Sequence, residues 1–221
     1  MEIPINEVMR YLGYHQVEKS DRASGEAYAR ISDLVKEASA VFAEKAAPKS
    51  VYGIWDCKCD SLSLTLGGIS IKSKDLVRYM EGSSKAVLLA ATLGTEADTL
   101  IRRFSVKDME KAVVAEAVCT VIIEAYCDRI EEEIAQRAEL RGLFSSGRFS
   151  PGYGDFDIAW QKDLLNMLNC DRKIGLTLSS GYMLVPSKSI TALIGFGADK
   201  KQSREKCCDC ARDKCDYREI G

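Results

Sequence analysis

Apolar residues recur at helical spacing over residues 23–47, where Ala27, Ile31, Leu34, Val35, Ala38, Val41 and Phe42 fall on the i, i+3, i+4 rows of one face. A shorter helix is expected over 5–12. Residues 49–56 read as a strand. Leu62-Ser-Leu-Thr-Leu66 then alternates with period two, and Gly67-Gly68 separates it from Ile69-Ser-Ile71, the pattern of a hairpin. Ser73 is placed to cap a short helix ending at Met80. Residues 85–93 are almost continuously apolar up to Gly94, as in a strand covered on both faces. Thr95 is expected to cap a helix running to about Phe104.

The longest element predicted is a helix over 107–140. Between Ala112 and Tyr126 it is apolar on almost every side, which implies burial all round; from Asp128 onward only Ile130 and Ile134 continue an apolar stripe. Glu116, Thr120 and Glu124 interrupt the apolar half at i, i+4 and i+8, one narrow polar line. That line is either a solvent-facing edge or a carboxylate turned into a cavity, because a buried charge needs a partner.

Residues 142–155 form a glycine-rich loop, followed by a helix over 156–169. Three strand-like runs come next, Ile174 to Leu178, Tyr182 to Val185 and Lys188 to Phe196, and they read as an antiparallel meander. The expectation is an α+β fold: a single compact domain with a twisted antiparallel β-meander and several helices, one long and central. It occupies residues 1–197, and a charged, Cys-rich tail occupies 198–221.

Composition narrows the function. The 221 residues carry 31 Lys+Arg against 33 Asp+Glu, a formal charge of -2, so the basic excess of a nucleic-acid binder is missing. No apolar run approaches the length of a membrane span, and the amino terminus has no basic flank or apolar signal core. A cytoplasmic protein without nucleic-acid or membrane partners is expected. The single histidine, His15, excludes a multi-histidine metal site.

Arg148-Phe-Ser-Pro-Gly152-Tyr153 has the makings of a small-ligand cradle. The guanidinium pairs with a carboxylate through two parallel hydrogen bonds, Gly152 lets a ligand approach the backbone, and Tyr153 offers an aromatic face. On this pattern alone, a plain turn between two elements is the competing reading.

The wider pattern is more specific. Arg148-x-Ser-Pro-Gly-Tyr153, a following helix carrying Lys162, Ile174-Gly-Leu-Thr-Leu178, Met183, Pro186 and Ser189-Ile-Thr191 occur in that order. Ahead of them lie Ala115-Glu116-Ala117 and Ile123-Glu124-Ala125-Tyr126. Together this stretch resembles the activation domain of vitamin B12-dependent methionine synthase, over roughly Lys111 to Gly197.

The resemblance implies an S-adenosylmethionine site at Arg148, Ser150, Gly152 and Tyr153, with the long-helix glutamate of the family's site falling on Glu124. Arg148 is assigned to the ligand carboxylate and Glu124 to its positive end. It further implies a stand-alone reactivation subunit, acting in reductive remethylation of cob(II)alamin. The cobalamin would be held by a partner, a cobalamin-binding methionine synthase or other corrinoid protein, and reduced by a flavodoxin-like electron donor. Such chemistry asks no acid, base or nucleophile of the side chains. The alternative readings are an activator of another corrinoid methyltransferase, or a non-catalytic metal- or ligand-binding module.

The nine cysteines are odd in number. Cys119, Cys127 and Cys170 lie in apolar helical contexts and are expected in the core. Cys207-x2-Cys210-x4-Cys215, with Cys208 as an alternate, is compact enough to surround zinc or an iron–sulfur cluster, and Cys57-Lys-Cys59 could add a ligand if the tail folds back. The competing reading is a set of exposed thiols.

Overall fold

The computed structural model describes residues 3–14 and 22–199, with side chains from residue 25 onward in the second stretch. Among these residues the chain forms α1 (Ile5–Tyr11), α2 (Arg22–Lys45), β1 (Lys49–Cys59), β2 (Ser63–Leu66), β3 (Ile69–Lys72), α3 (Lys74–Met80), β4 (Ser83–Thr92), α4 (Thr95–Lys107) and α5 (Met109–Glu139). The order continues with β5 (Phe144–Phe149), a 3-10 turn (Ile158–Trp160), α6 (Gln161–Leu168), α7 (Cys170–Ile174), β6 (Thr177–Leu178), β7 (Leu184–Val185) and β8 (Ser189–Gly197). The class is α+β, as expected.

Six strands make one antiparallel sheet in the order β3-β2-β1-β4-β8-β5. Alternation along β4 feeds two cores. Val87, Leu89 and Ala91 face a core built with α1, α2, α4 and α5; Ala86, Leu88 and Ala90 face a second core built with α3, α6 and α7. Burial on both sides is why this strand is apolar at nearly every position. The same layering explains α5. It lies on the sheet while α2 and α4 pack against it, so its first half is enclosed.

Several local expectations hold. The Ser73 hydroxyl accepts the Leu76 N–H at 3.0 Å and opens α3. The 63–72 hairpin forms as well. The long helix expected from 107 starts at Met109, and Asp108 caps it by accepting the Lys111 N–H at 3.1 Å.

Others are corrected. The three C-terminal runs are not a meander: β6 and β7 pair only with each other, and β8 crosses into the main sheet between β4 and β5. The chain's actual meander is β1-β2-β3, and β4 returns through α3 to lie beside β1, so the four strands form a Greek key. Thr95 does not cap α4. Gly94 holds that position at φ +83, and Thr95 is already helical. The helix expected over 156–169 is a short 3-10 turn followed by α6, and Asn169 at φ +55 redirects the chain into α7. No helix among the described residues is long and apolar enough to cross a membrane.

Candidate functional site

The segment expected to be loop, 142–155, contains the edge strand β5, and an irregularity in that strand sets the site. Ser145 pairs with Phe196 but Arg148 pairs with Ile194, so β5 spends one residue more than β8 between the two pairs. This is a β-bulge. It is stabilised by Ser146, whose hydroxyl accepts the Gly195 N–H at 2.9 Å, and by Gly147 at φ +84, where a Cβ would lie 2.7 Å from the Tyr79 hydroxyl. Opposed residues in an antiparallel pair project to the same face. Ile194 belongs to the α5-side core, and Arg148 accordingly extends toward α5.

There it meets three acids of one helical face. Arg148 Nη2 donates to Glu124 Oε2 at 2.9 Å and to Asp128 Oδ1 at 2.6 Å, and Nε lies 3.5 Å from Glu131 Oε2. The arginine side chain is only 7% exposed, whereas those of Glu124 and Asp128 are 37% and 56% exposed. Burial opposes its charge, but the carboxylates of Asp128, Glu124 and Glu131 hold its pKa above the ordinary arginine value. Nη1 is buried and has no hydrogen-bond partner. Arg148 and Glu124 were assigned to opposite ends of a ligand; they bond directly to each other.

Beyond Arg148 the chain turns sharply. Tyr153 N–H donates to Ser150 C=O at 3.2 Å, and Gly152, at φ +94, donates its N–H to Phe156 C=O at 2.7 Å. A Cβ on Gly152 would touch only Ile158, so its requirement is the backbone conformation. Phe156 is buried and stacks on Phe149, which also packs on Tyr79 at 4.9 Å between ring centroids. Tyr153 is 62% exposed, its ring 6.2 Å from Phe149. Asp155 fastens the turn to α3, accepting from the Ser73 hydroxyl and from the N–H groups of Lys74 and Asp75. These bonds, the Ser73 hydroxyl foremost, lower its pKa.

Sequence reading placed Arg148, Ser150, Gly152, Tyr153 and Glu124 at the site, and the structure brings Arg148 to Glu124 and gathers the other three in the adjoining turn. It missed Asp128 and Glu131. Their signal was present: Glu124, Asp128 and Glu131 stand at i, i+4 and i+7. It also missed Tyr11 of α1. Burial, then the Glu124 carboxylate, raise that phenol's pKa, with a smaller contribution from Tyr153.

The other acid of the polar line has its own partner. Lys188 pairs with Glu116 and donates to the Thr120 hydroxyl at 3.2 Å, so the line is neither free edge nor cavity wall but an anchor for the chain entering β8. Cys119, Cys127 and Cys170 are buried as expected. His15 and Cys207, Cys208, Cys210 and Cys215 lie outside the described residues.

Comparison with known proteins agrees with this layout. Residues 70–219 match the family described as vitamin B12 dependent methionine synthase, activation domain. No curated protein matches the chain. Among solved structures, a crystal structure of the MetH reactivation domain bound to AdoHcy superposes with a TM-score of 0.63 at 14% identity. The match covers 89% of this chain and 75% of that one.

Proposed function

Because the chain belongs to the vitamin B12-dependent methionine synthase activation-domain family, we propose that it binds S-adenosylmethionine along residues 148–153. In this reading it serves as a stand-alone subunit for reductive remethylation of cob(II)alamin held by a separate cobalamin-dependent methionine synthase, with a flavodoxin-like protein as electron donor. The observation that carries the reading is Arg148, a buried guanidinium with one unpartnered nitrogen, four residues before a glycine held at positive φ and five before an exposed tyrosine.

The residues fit such a ligand. Three carboxylates face one guanidinium, and this acidic excess suits a molecule carrying an ammonium and a sulfonium. Glu124 and Asp128 are open enough to turn toward those cations. As either does so, Arg148 Nη2 joins Nη1 in facing the ligand carboxylate, a two-point pairing that suits guanidinium geometry. Tyr153 can lie against the adenine ring or the sulfonium, and Gly152 leaves the backbone uncovered beneath it. When bound, S-adenosylmethionine supplies an electrophilic methyl group and cobalamin the reduced cobalt that accepts it. The chain's own contribution is to hold and orient, and no side-chain proton transfer is needed.

Calorimetric titration of S-adenosylmethionine into the protein, beside Arg148→Ala and Glu124→Gln, tests the reading. Saturable binding that Arg148→Ala abolishes is expected. Absence of binding to folded wild type at millimolar ligand overturns it. Methyl transfer to a cob(II)alamin-loaded methionine synthase in the presence of a reductant then tests the partner.

A further inference from the structure

Helix α1 brings a second tyrosine to the site. It packs on α5 and α2, burying Val8 and Met9 in the core they share, with Tyr11 of its last turn partly buried against the same core. Glu7 and Arg10 pair along this helix, and the Arg10 guanidinium carbon lies 4.9 Å from the Tyr11 ring centroid. One cation therefore already rests on this ring.

The phenol oxygen has other neighbours. Burial raises its pKa first and the Glu124 carboxylate second, the latter outweighing the adjoining Arg10; Glu7 and the Tyr153 phenol raise it further. Three residues remote in sequence thus converge on one spot: Tyr11 of α1, Glu124 of α5 and Tyr153 of the turn after β5. Arg148 Nη2 holds Glu124 there at 2.9 Å, and the Tyr153 ring stands 6.2 Å from that of Phe149. Glu124 and Tyr153 are both open to solvent, so a ligand can reach the spot.

One carboxylate with two phenols about it suits a cation that cannot donate hydrogen bonds. A sulfonium has no N–H. Beyond a single opposing charge it gains most from electron-rich rings, and from weak contacts between oxygen and its polarised C–H groups. An ammonium, with three N–H donors, is better served by a further carboxylate such as Asp128.

We propose that Tyr11 is a ligand-binding residue which, with Glu124 and Tyr153, encloses the sulfonium of S-adenosylmethionine and sets a preference for it over the neutral thioether S-adenosylhomocysteine. The inference rests on the reading of residues 148–153 as the S-adenosylmethionine site, and adds to it a residue from the other end of the chain and a ground for selectivity. Once the methyl group has left, the sulfur is neutral. The carboxylate and the two phenols then lose their hold on it, and the spent ligand is released in favour of a fresh one.

The experiment titrates S-adenosylmethionine and S-adenosylhomocysteine separately into the full chain, as wild type, Tyr11→Phe and Tyr11→Leu. Wild type should bind S-adenosylmethionine on the order of tenfold more tightly. Tyr11→Phe, which keeps the ring and loses the oxygen, should weaken S-adenosylmethionine several-fold; Tyr11→Leu should do so by about tenfold or more, closing the gap between the two ligands. S-adenosylhomocysteine affinity should stay within about twofold throughout. If Tyr11→Leu does not fold by circular dichroism, fluorinated phenylalanines incorporated at position 11 replace it, since they keep the shape while draining the negative face of the ring. Affinity for S-adenosylmethionine should then fall with each added fluorine. Equal weakening of both ligands overturns the inference in favour of a residue that only shapes the groove, and equal affinity of wild type for the two overturns it as well. Wild-type binding of S-adenosylmethionine left unaltered by every change at Tyr11 sinks the inference and leaves the site at 148–153 standing. Absence of binding to folded wild type sinks both.

Discussion

Arg148 stands opposite Ile194 across the β5–β8 pair, not opposite Leu193. Paired one to one from Ser145↔Phe196, with no bulge to absorb a residue, the same sequence would bring Arg148 to Leu193, on the side of the sheet carrying α3 and α6. The guanidinium would then point away from Glu124, Asp128 and Glu131. A one-residue irregularity in an edge strand decides which layer of the protein receives the arginine.

Deleting Gly147 removes the extra residue and leaves Arg148 opposite Ile194 in unbroken register, so the guanidinium should still face α5. The expected result is S-adenosylmethionine affinity within a few-fold of wild type and far above that of Arg148→Ala, with far-UV circular dichroism close to wild type. Titration of both variants checks this. Affinity lost as completely as in Arg148→Ala would show that register alone does not aim the arginine.

Arg148 also braces β5 against α5. Replacing it with alanine removes a 7% exposed guanidinium and leaves three carboxylates facing one another, two of them partly solvated. Solvent screening limits the penalty to about 1–3 kcal/mol, measured by urea unfolding. Asp128→Asn, at a more exposed acid, should cost well under half as much.

The two glycines Gly142 and Gly154 separate conformation from crowding. Both have positive φ, but a Cβ at Gly142 meets nothing within 4 Å, whereas at Gly154 it would lie 2.3 Å from Asp75 Oδ2. Gly142→Ala should cost about 1 kcal/mol. Gly154→Ala should cost more and loosen the Asp155–α3 contact, seen as faster amide exchange at Lys74 and Asp75.

Burial pushes the Cys119, Cys127 and Cys170 thiols up to about 12. At pH 8 all three should resist alkylation in the folded protein and react promptly in urea. Between pH 9 and 12 the unfolded chain loses these protons while the folded chain keeps them, so stability falls as pH rises. The contribution of each thiol is full below pH 9 and shrinks by at most about 1.4 kcal/mol per pH unit above it. Urea midpoints measured from pH 7.5 to 10.5 should decline accordingly.

Elements whose environment follows from their own sequence were legible. β4 is apolar from Ala86 to Ala91 because both its faces are covered there, and the first half of α5 is apolar on almost every side because helices and sheet surround it. Ser73 and the 63–72 hairpin follow from local chemistry. What escaped depends on partners distant in sequence. β5 carries arginine, two serines and a glycine, the composition of a loop, and is a strand only because β8 supplies a partner edge. The three C-terminal runs share period-two alternation, and nothing within them says that the third will pass its neighbours to reach β4. At the site, the loop motif marked Arg148 and the helix line marked Glu124. The direct bond between them, and the part played by Asp128 and Glu131, required knowing which way the bulge turned the strand.

The central place of β8 has a consequence during synthesis. The strand that joins β4 to β5 is the last of the sheet to leave the ribosome, so a nascent chain presents two open, hydrogen-bonding strand margins until residue 197 has emerged. Fragments ending before residue 189 should accumulate as aggregates, and a chaperone that shields β4 should raise the yield of the whole chain.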